Sequence, residues 1–132
     1  PQAAALAAKA IKEVRYHAAH SGDWVVHLGD GTEESHARMQ AALDRAWDFV
    51  AELFTAADVD LAAIEAGLLP DLDEARASWD AAVDSILTQA TLNRPEANWG
   101  QAGGKTGNHS EHLSRLLAEM QVLPRTYPDA TW

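Results

Sequence analysis

A single spacing governs the first thirty residues of this chain. Leu6, Ala10, Glu13, His17, His20, Trp24 and Leu28 recur every three or four positions, the period of one helix face. The stripe predicts a long helix from about Ala3 to Leu28 with these residues facing inward, and it carries an acid and two imidazoles among apolar groups. Charged side chains are rarely buried alone, so such a helix must meet groups that satisfy them. A carboxylate and an imidazole projecting into a helical bundle are also what a carboxylate-bridged di-iron site is made from, and that site uses Glu-x-x-His. Here the third residue after Glu13 is Tyr16. His17 arrives one position late, about 100° further round the helix.

Composition fits this helical reading. The 132 residues are the size of one domain, and helix formers outnumber β-branched residues over most of the chain, which predicts an all-α fold. Cysteine is absent, excluding disulfides, thiolate catalysis and cysteine-held metal sites, and suiting a reducing cytoplasm. Twenty acidic against ten basic side chains give a net charge of −10. That balance argues against a nucleic-acid partner, which needs a basic patch to displace counterions. No apolar run has the roughly 20 residues of a membrane span, and no signal-peptide pattern is present. The chain opens on Pro1 and enters directly into a helical pattern, as expected of the interior of a longer protein.

Downstream, Gly29-Asp30-Gly31 should close the first helix and Thr32 should cap a second, whose apolar stripe is Met39, Leu43, Trp47, Val50 and Phe54. Asp58 is the expected cap of a short helix over Val59–Ala66, stopped by Gly67. A third long helix carries Leu72, Ala75, Trp79, Val83 and Ile86 or Leu87 on one face and should run to about Leu92, before Pro95. Residues 95–107 hold four glycines and form one long loop. Asn108 and Glu111 resemble a capping box for a last helix with Leu113, Leu116, Leu117 and Met120 inward, ending at Pro124. The whole chain, 1–132, is thus expected to be a single all-α region.

Three clusters invite functional readings. Gly103-Gly104-Lys105-Thr106 suggests a phosphate-binding loop, but the first glycine such a loop requires would fall at Trp99, and no strand precedes it. His109 and His112 flank Glu111 at a helix start, where the positive dipole end disfavours a cation; capping, packing or partner contact suits them better than ligation. Glu13, His17 and His20 form either a satisfied polar cluster or part of a metal site. No second Glu-x-x-His follows; three residues after Glu111 stands Ser114.

Several segments taken together are more specific: Ala8-Lys9-Ala10-Ile11-Lys12-Glu13-Val14-Arg15-Tyr16-His17, Leu28-Gly29-Asp30-Gly31-Thr32, Ala51-Glu52-Leu53-Phe54, Ala90-Thr91-Leu92-Asn93, Gly103 through Leu113, and Leu117-Ala118-Glu119-Met120-Gln121. In this order and spacing the chain resembles the C subunits of bacterial 1,2-phenylacetyl-CoA epoxidases, multicomponent oxygenases of aerobic phenylacetate breakdown. The resemblance implies a partial ferritin-like helical bundle that pairs with a related catalytic subunit holding the di-iron centre. In that family the C subunit is structural, binds no cofactor and has no catalytic residues, so Glu13 and His17 would be vestigial ligand positions. It also implies that these residues are the C-terminal half of a longer subunit, beginning near the fourth bundle helix, and that the missing N-terminal half or self-association covers the inward stripe of the first helix. Lys105 and Arg94, for their local positive charge, are the candidates for contact with CoA phosphates or with the partner. Two other readings stay open: a metal-carrying di-iron subunit, and a helical binding module unrelated to oxygenases.

Overall fold

The computed structural model describes residues 2–96 and 100–131, and these form α-helices, one short 3₁₀ turn and connecting loops. The all-α expectation holds. By internal contacts the chain divides into two compact units, 1–101 and 102–132. Residues 97–99, which include Trp99, and the terminal Trp132 lie outside the described residues. No helix among those described is long and apolar enough to cross a membrane.

In the first unit α1 spans Gln2–Gly29, α2 Glu33–Trp47, α3 Val50–Leu53, α4 Asp58–Glu65 and α5 Leu72–Gln89. Thr32 caps α2 as expected, in a reciprocal box: its hydroxyl accepts from the Ser35 amide at 3.2 Å, and the Ser35 hydroxyl accepts from the Thr32 amide at 2.9 Å. The apolar pattern through Phe54 belongs to two helices, because the backbone turns at Asp48 and Phe49 before α3 begins. At α4 the expected cap is displaced. Ala57 is the N-cap, and the side chain of Asp60, three residues on, accepts its amide at 2.9 Å.

α5 stops three residues before the expected Leu92, and its ending explains why. The Thr91 amide donates to the Thr88 carbonyl at 3.2 Å and the Leu92 amide to the Leu87 carbonyl at 3.0 Å, the two reversed bonds of a Schellman motif. Position 91 must then be left-handed, and Thr91 has φ 56°. Glycine is the usual residue there; a β-branched one is a strained exception. The hydrophobic contact that accompanies such motifs joins Leu87 to Leu92, and these two with Ala90 are the buried core. Val25 and Val26 of α1, Met39, Leu43 and Trp47 of α2, and Val83 of α5 pack around them.

The close approach of α1 to the end of α5 depends on Gly29. A Cβ there would lie 2.5 Å from the Ala90 carbonyl oxygen and 2.8 Å from the Ala90 Cβ. Its own carbonyl accepts from His36 Nδ1 at 2.7 Å, with the Thr91 hydroxyl at 3.5 Å. A carbonyl oxygen can only accept, so Nδ1 of His36 carries the proton of that short contact.

In the second unit a 3₁₀ turn, Gly104–Thr106, precedes α6, Glu111–Met120, and α7, Val122–Thr126. Ser110 occupies the N-cap of α6, not Asn108. Pro124 does not end the helical run. It sits inside the first turn of α7, where a missing N–H costs no helical hydrogen bond.

Candidate functional site

The expected inward stripe of α1 is exposed. Leu6 is 69 % and Trp24 55 % exposed, and the face that packs is the opposite one: Gly22, Val25, Val26 and Gly29. His20 to Gly22, and Trp24 to Val26, are each two residues apart, about 200° round the helix. Two glycines on the packed face let α1 lie close to α5, and the Ile86 Cδ1 would be 3.1 Å from a Cβ at Gly22. Periodicity located one stripe and assigned it inward, whereas the residues that meet α2 and α5 lie on the other face.

On the exposed face the rings form a ladder. Tyr16 stacks on His20 with centroids 5.9 Å apart, His20 meets Trp24 edge-on at 6.4 Å, and Trp24 lies 6.3 Å from His27. Glu13 and His17 approach to 4.0 Å across one turn, with both side chains more than half exposed. Thus the acid sits beside the imidazole of its own helix, and Tyr16, at the third position, turns its ring toward His20. These residues do not fit half of a di-iron site, which needs the carboxylate and an imidazole three residues on to aim at one ion. Among the described residues no group of three or more His, Asp or Glu side chains converges.

Arg94 lies against α5. Its guanidinium donates through one nitrogen to Asp80 and through another to Asp84 at 2.5 Å, so it spans two carboxylates one turn apart on α5. It also lies over the Trp47 ring at 5.0 Å and within 5.9 Å of Trp79. Trp79 packs on Trp47 at 5.8 Å and on Phe54 at 5.5 Å, and Arg76 covers the Phe54 ring at 5.3 Å. The neighbouring residue is held too: Gln40 of α2 donates to the Asn93 carbonyl and accepts its amide, both at 2.9 Å. Thr91, Asn93 and Arg94 thereby tie the chain leaving α5 to α1, to α2, and to α5 together with Trp47. Sequence reasoning missed this strap. Its one legible sign was the i, i+4 spacing of Arg76, Asp80 and Asp84 beside Trp79.

Hydrogen bonding by Arg94 holds the Asp80 carboxyl below its ordinary range, with the charges of Arg94 and Arg76 acting in the same direction against some desolvation. The same bonds, to Asp80 first and then Asp84, raise Arg94. A carboxyl whose folded pKa is depressed stabilises the fold above its unfolded pKa, about 3.9 for aspartate, and that contribution is lost as pH falls through the folded value. Arg94→Ala should therefore flatten the acid limb of stability. Urea midpoints measured from pH 6 downward in wild type and variant should converge below about pH 4. Parallel curves would show that the clasp contributes nothing.

Lys105 stands at the centre of the 3₁₀ turn, between Gly103 and Gly107, both left-handed at φ 99° and 96°. This turn closes on itself: the amides of Thr106 and Asn108 and the Thr106 hydroxyl all donate to the Gly103 carbonyl, at 3.0, 2.8 and 3.0 Å. Amides committed in this way do not cradle a phosphate. His109 precedes α6 while His112 lies within it, so the two are not successive rungs of one helix.

Comparison with known proteins agrees with this helical layout. The family model described as phenylacetic acid catabolic protein matches residues 1–132. The chain is 47 % identical over 132 residues to the C subunit of the 1,2-phenylacetyl-CoA epoxidase of Escherichia coli (strain K12), covering 100 % of this chain and 53 % of that protein. It therefore spans about half the length of the curated relative it matches. With the match running from end to end over helices laid out as described, the chain belongs to the phenylacetic acid catabolic protein family.

Proposed function

We propose that this chain is part of a structural, non-catalytic subunit of an oxygenase that epoxidises the ring of phenylacetyl-CoA, bracing a related catalytic subunit that carries the di-iron centre. The observation that carries the reading is the Glu13–His17 pair: the two side chains meet each other at 4.0 Å, with Tyr16 in the position a ligand histidine would take. The 47 % identity to a protein named as the epoxidase's C subunit supports the assignment to such a complex. In this reading the ferritin-like bundle is shared with the partner, the reaction occurs in the cytoplasm, and this chain supplies surface and rigidity. Arg94 then acts as a structural clasp, since its charge is met by Asp80 and Asp84, and Lys105 remains the candidate for contact with CoA or the partner.

Metal analysis of the purified complex tests the proposal. Iron content should be unchanged by Glu13→Ala in this subunit. Near-stoichiometric iron lost on that substitution would establish the rival, a metal-carrying subunit, and overturn the scaffold role.

A further inference from the structure

Between Arg45 and Arg76 the chain carries no cationic side chain. Residues 46–75 hold eight of the twenty carboxylates and none of the ten Lys and Arg or six His, so this stretch accounts for −8 of the net −10 and the other 102 residues for −2. It forms α3, α4, the links around them and the first turn of α5. Acidity by itself aids solubility and marks no site. What sets this stretch apart is the apolar surface lying among its acids: Phe49, Leu53, Val59, Leu61, Leu68 and Leu69 are all between 42 and 71 % exposed.

α4 shows how the two are interleaved. Ala63 and Ile64 of this two-turn helix are half-buried, whereas Asp58, Val59, Leu61 and Glu65 are exposed, so apolar and acidic groups share its outer surface. Exposed apolar groups rimmed by polar ones have the anatomy of a protein interface, in which the centre gives affinity and the rim sets partner and approach. The rim here has one sign. Past Arg76 the acids of α5 are matched within the chain, Asp80 by Arg76 and Arg94 and Asp84 by Arg94, so the uncompensated charge ends at the first turn of α5. A second copy of the chain would bring eight carboxylates against eight, and an anionic lipid surface or a nucleic acid would be repelled in the same way. The surface that complements this stretch is basic at its edge and apolar at its centre.

We infer that residues 46–75 are a docking surface for another protein subunit, one whose facing surface sets Lys and Arg side chains around an apolar centre. This deepens the scaffold reading and rests on its premise that the chain works within a multi-subunit complex. Phe49, Leu53, Val59 and Leu61 supply the apolar contact, and Asp58, Glu65, Asp73 and Glu74, all exposed, meet the partner's cations.

Association of the full-length subunit with each of the other purified subunits of its complex, followed as rates of binding and release, tests the inference. The variant D58N/E65Q/D73N/E74Q should slow association with one of them by roughly tenfold at low salt and leave dissociation nearly unchanged, and the difference should vanish at about 0.5 M salt. V59S/L61S should instead speed dissociation roughly tenfold. The control is E33Q/E34Q, which likewise removes acids from the first turn of a helix but outside the stretch, and it should alter neither rate. Association insensitive to the four carboxylates for every subunit would overturn the inference; a stretch covered by the subunit's own remaining residues would give that result. Equal slowing by E33Q/E34Q would overturn it too, because net charge and not this surface would then steer assembly. Wild-type subunit that binds none of the others would overturn the scaffold reading together with this inference, whereas normal binding indifferent to the stretch would overturn this inference alone.

Discussion

Gly29→Val should be among the most damaging single substitutions in this sequence, costing about 3 kcal/mol or more. The added Cβ alone would stand 2.5 Å from a backbone carbonyl, that of Ala90, and 3.1 Å from Leu92 Cγ, and neither atom is the free end of a flexible side chain. Relief requires α1 to move away from α5, stretching the contacts that His36 and Thr91 make to the Gly29 carbonyl. Helix propensity pulls the other way, since replacing glycine in a helix gains up to about 1 kcal/mol, but overpacking against fixed backbone outweighs it. At about 2–8 °C of Tm per kcal/mol, thermal unfolding should shift down by about 6 °C or more. Gly67→Asn is the control. Gly67 has φ +67° with nothing within 4 Å of a Cβ, and asparagine tolerates that conformation, so its effect should stay near 1 kcal/mol or below. Equal losses at the two positions would show that the approach of α1 to α5 is not close.

Much of this architecture was legible from local signals. Helix period, the Thr32 cap and the Gly29-Asp30-Gly31 turn depend on residues a few positions apart, and they place α1 and the start of α2 almost to the residue. What escaped depends on distant partners. Arg94 reads in sequence as a lone positive charge beside a proline, and only the return of the chain over α5 brings it onto Asp80, Asp84 and Trp47. Thr91 gives no hint of a left-handed residue because its type disfavours one; Leu87 and Leu92 hold the turn by meeting in the core. The candidate site was half legible. Spacing identified Glu13, Tyr16 and His17 as a broken ligand pattern, whereas the face of α1 that meets α2 and α5 is set by Gly22, Val25, Val26 and Gly29.

Leu87→Ala should cost the protein about 2–5 kcal/mol, the range for removing a buried leucine side chain when its surroundings relax only partly. Leu87 is 4 % exposed and belongs, among the described residues, to a buried apolar core of three, beside Ala90 at 0 % and Leu92 at 7 %. So small a core has few alternative contacts with which to close the cavity. The same side chain makes the hydrophobic contact with Leu92 that accompanies the Schellman ending of α5, and that ending holds Thr91 in its strained conformation. Losing it should free the turn, loosening Asn93 from Gln40 and Arg94 from its two aspartates, so the variant should also lose part of the acid sensitivity that the Arg94 clasp confers. Leu87→Met keeps the volume and should cost less than about 1.5 kcal/mol with the acid limb intact. Urea unfolding of both variants at pH 7 and at about pH 3, below the ordinary aspartate range, separates the two effects. If alanine and methionine proved equivalent, Leu87 would not be the residue on which α1, α2 and α5 close.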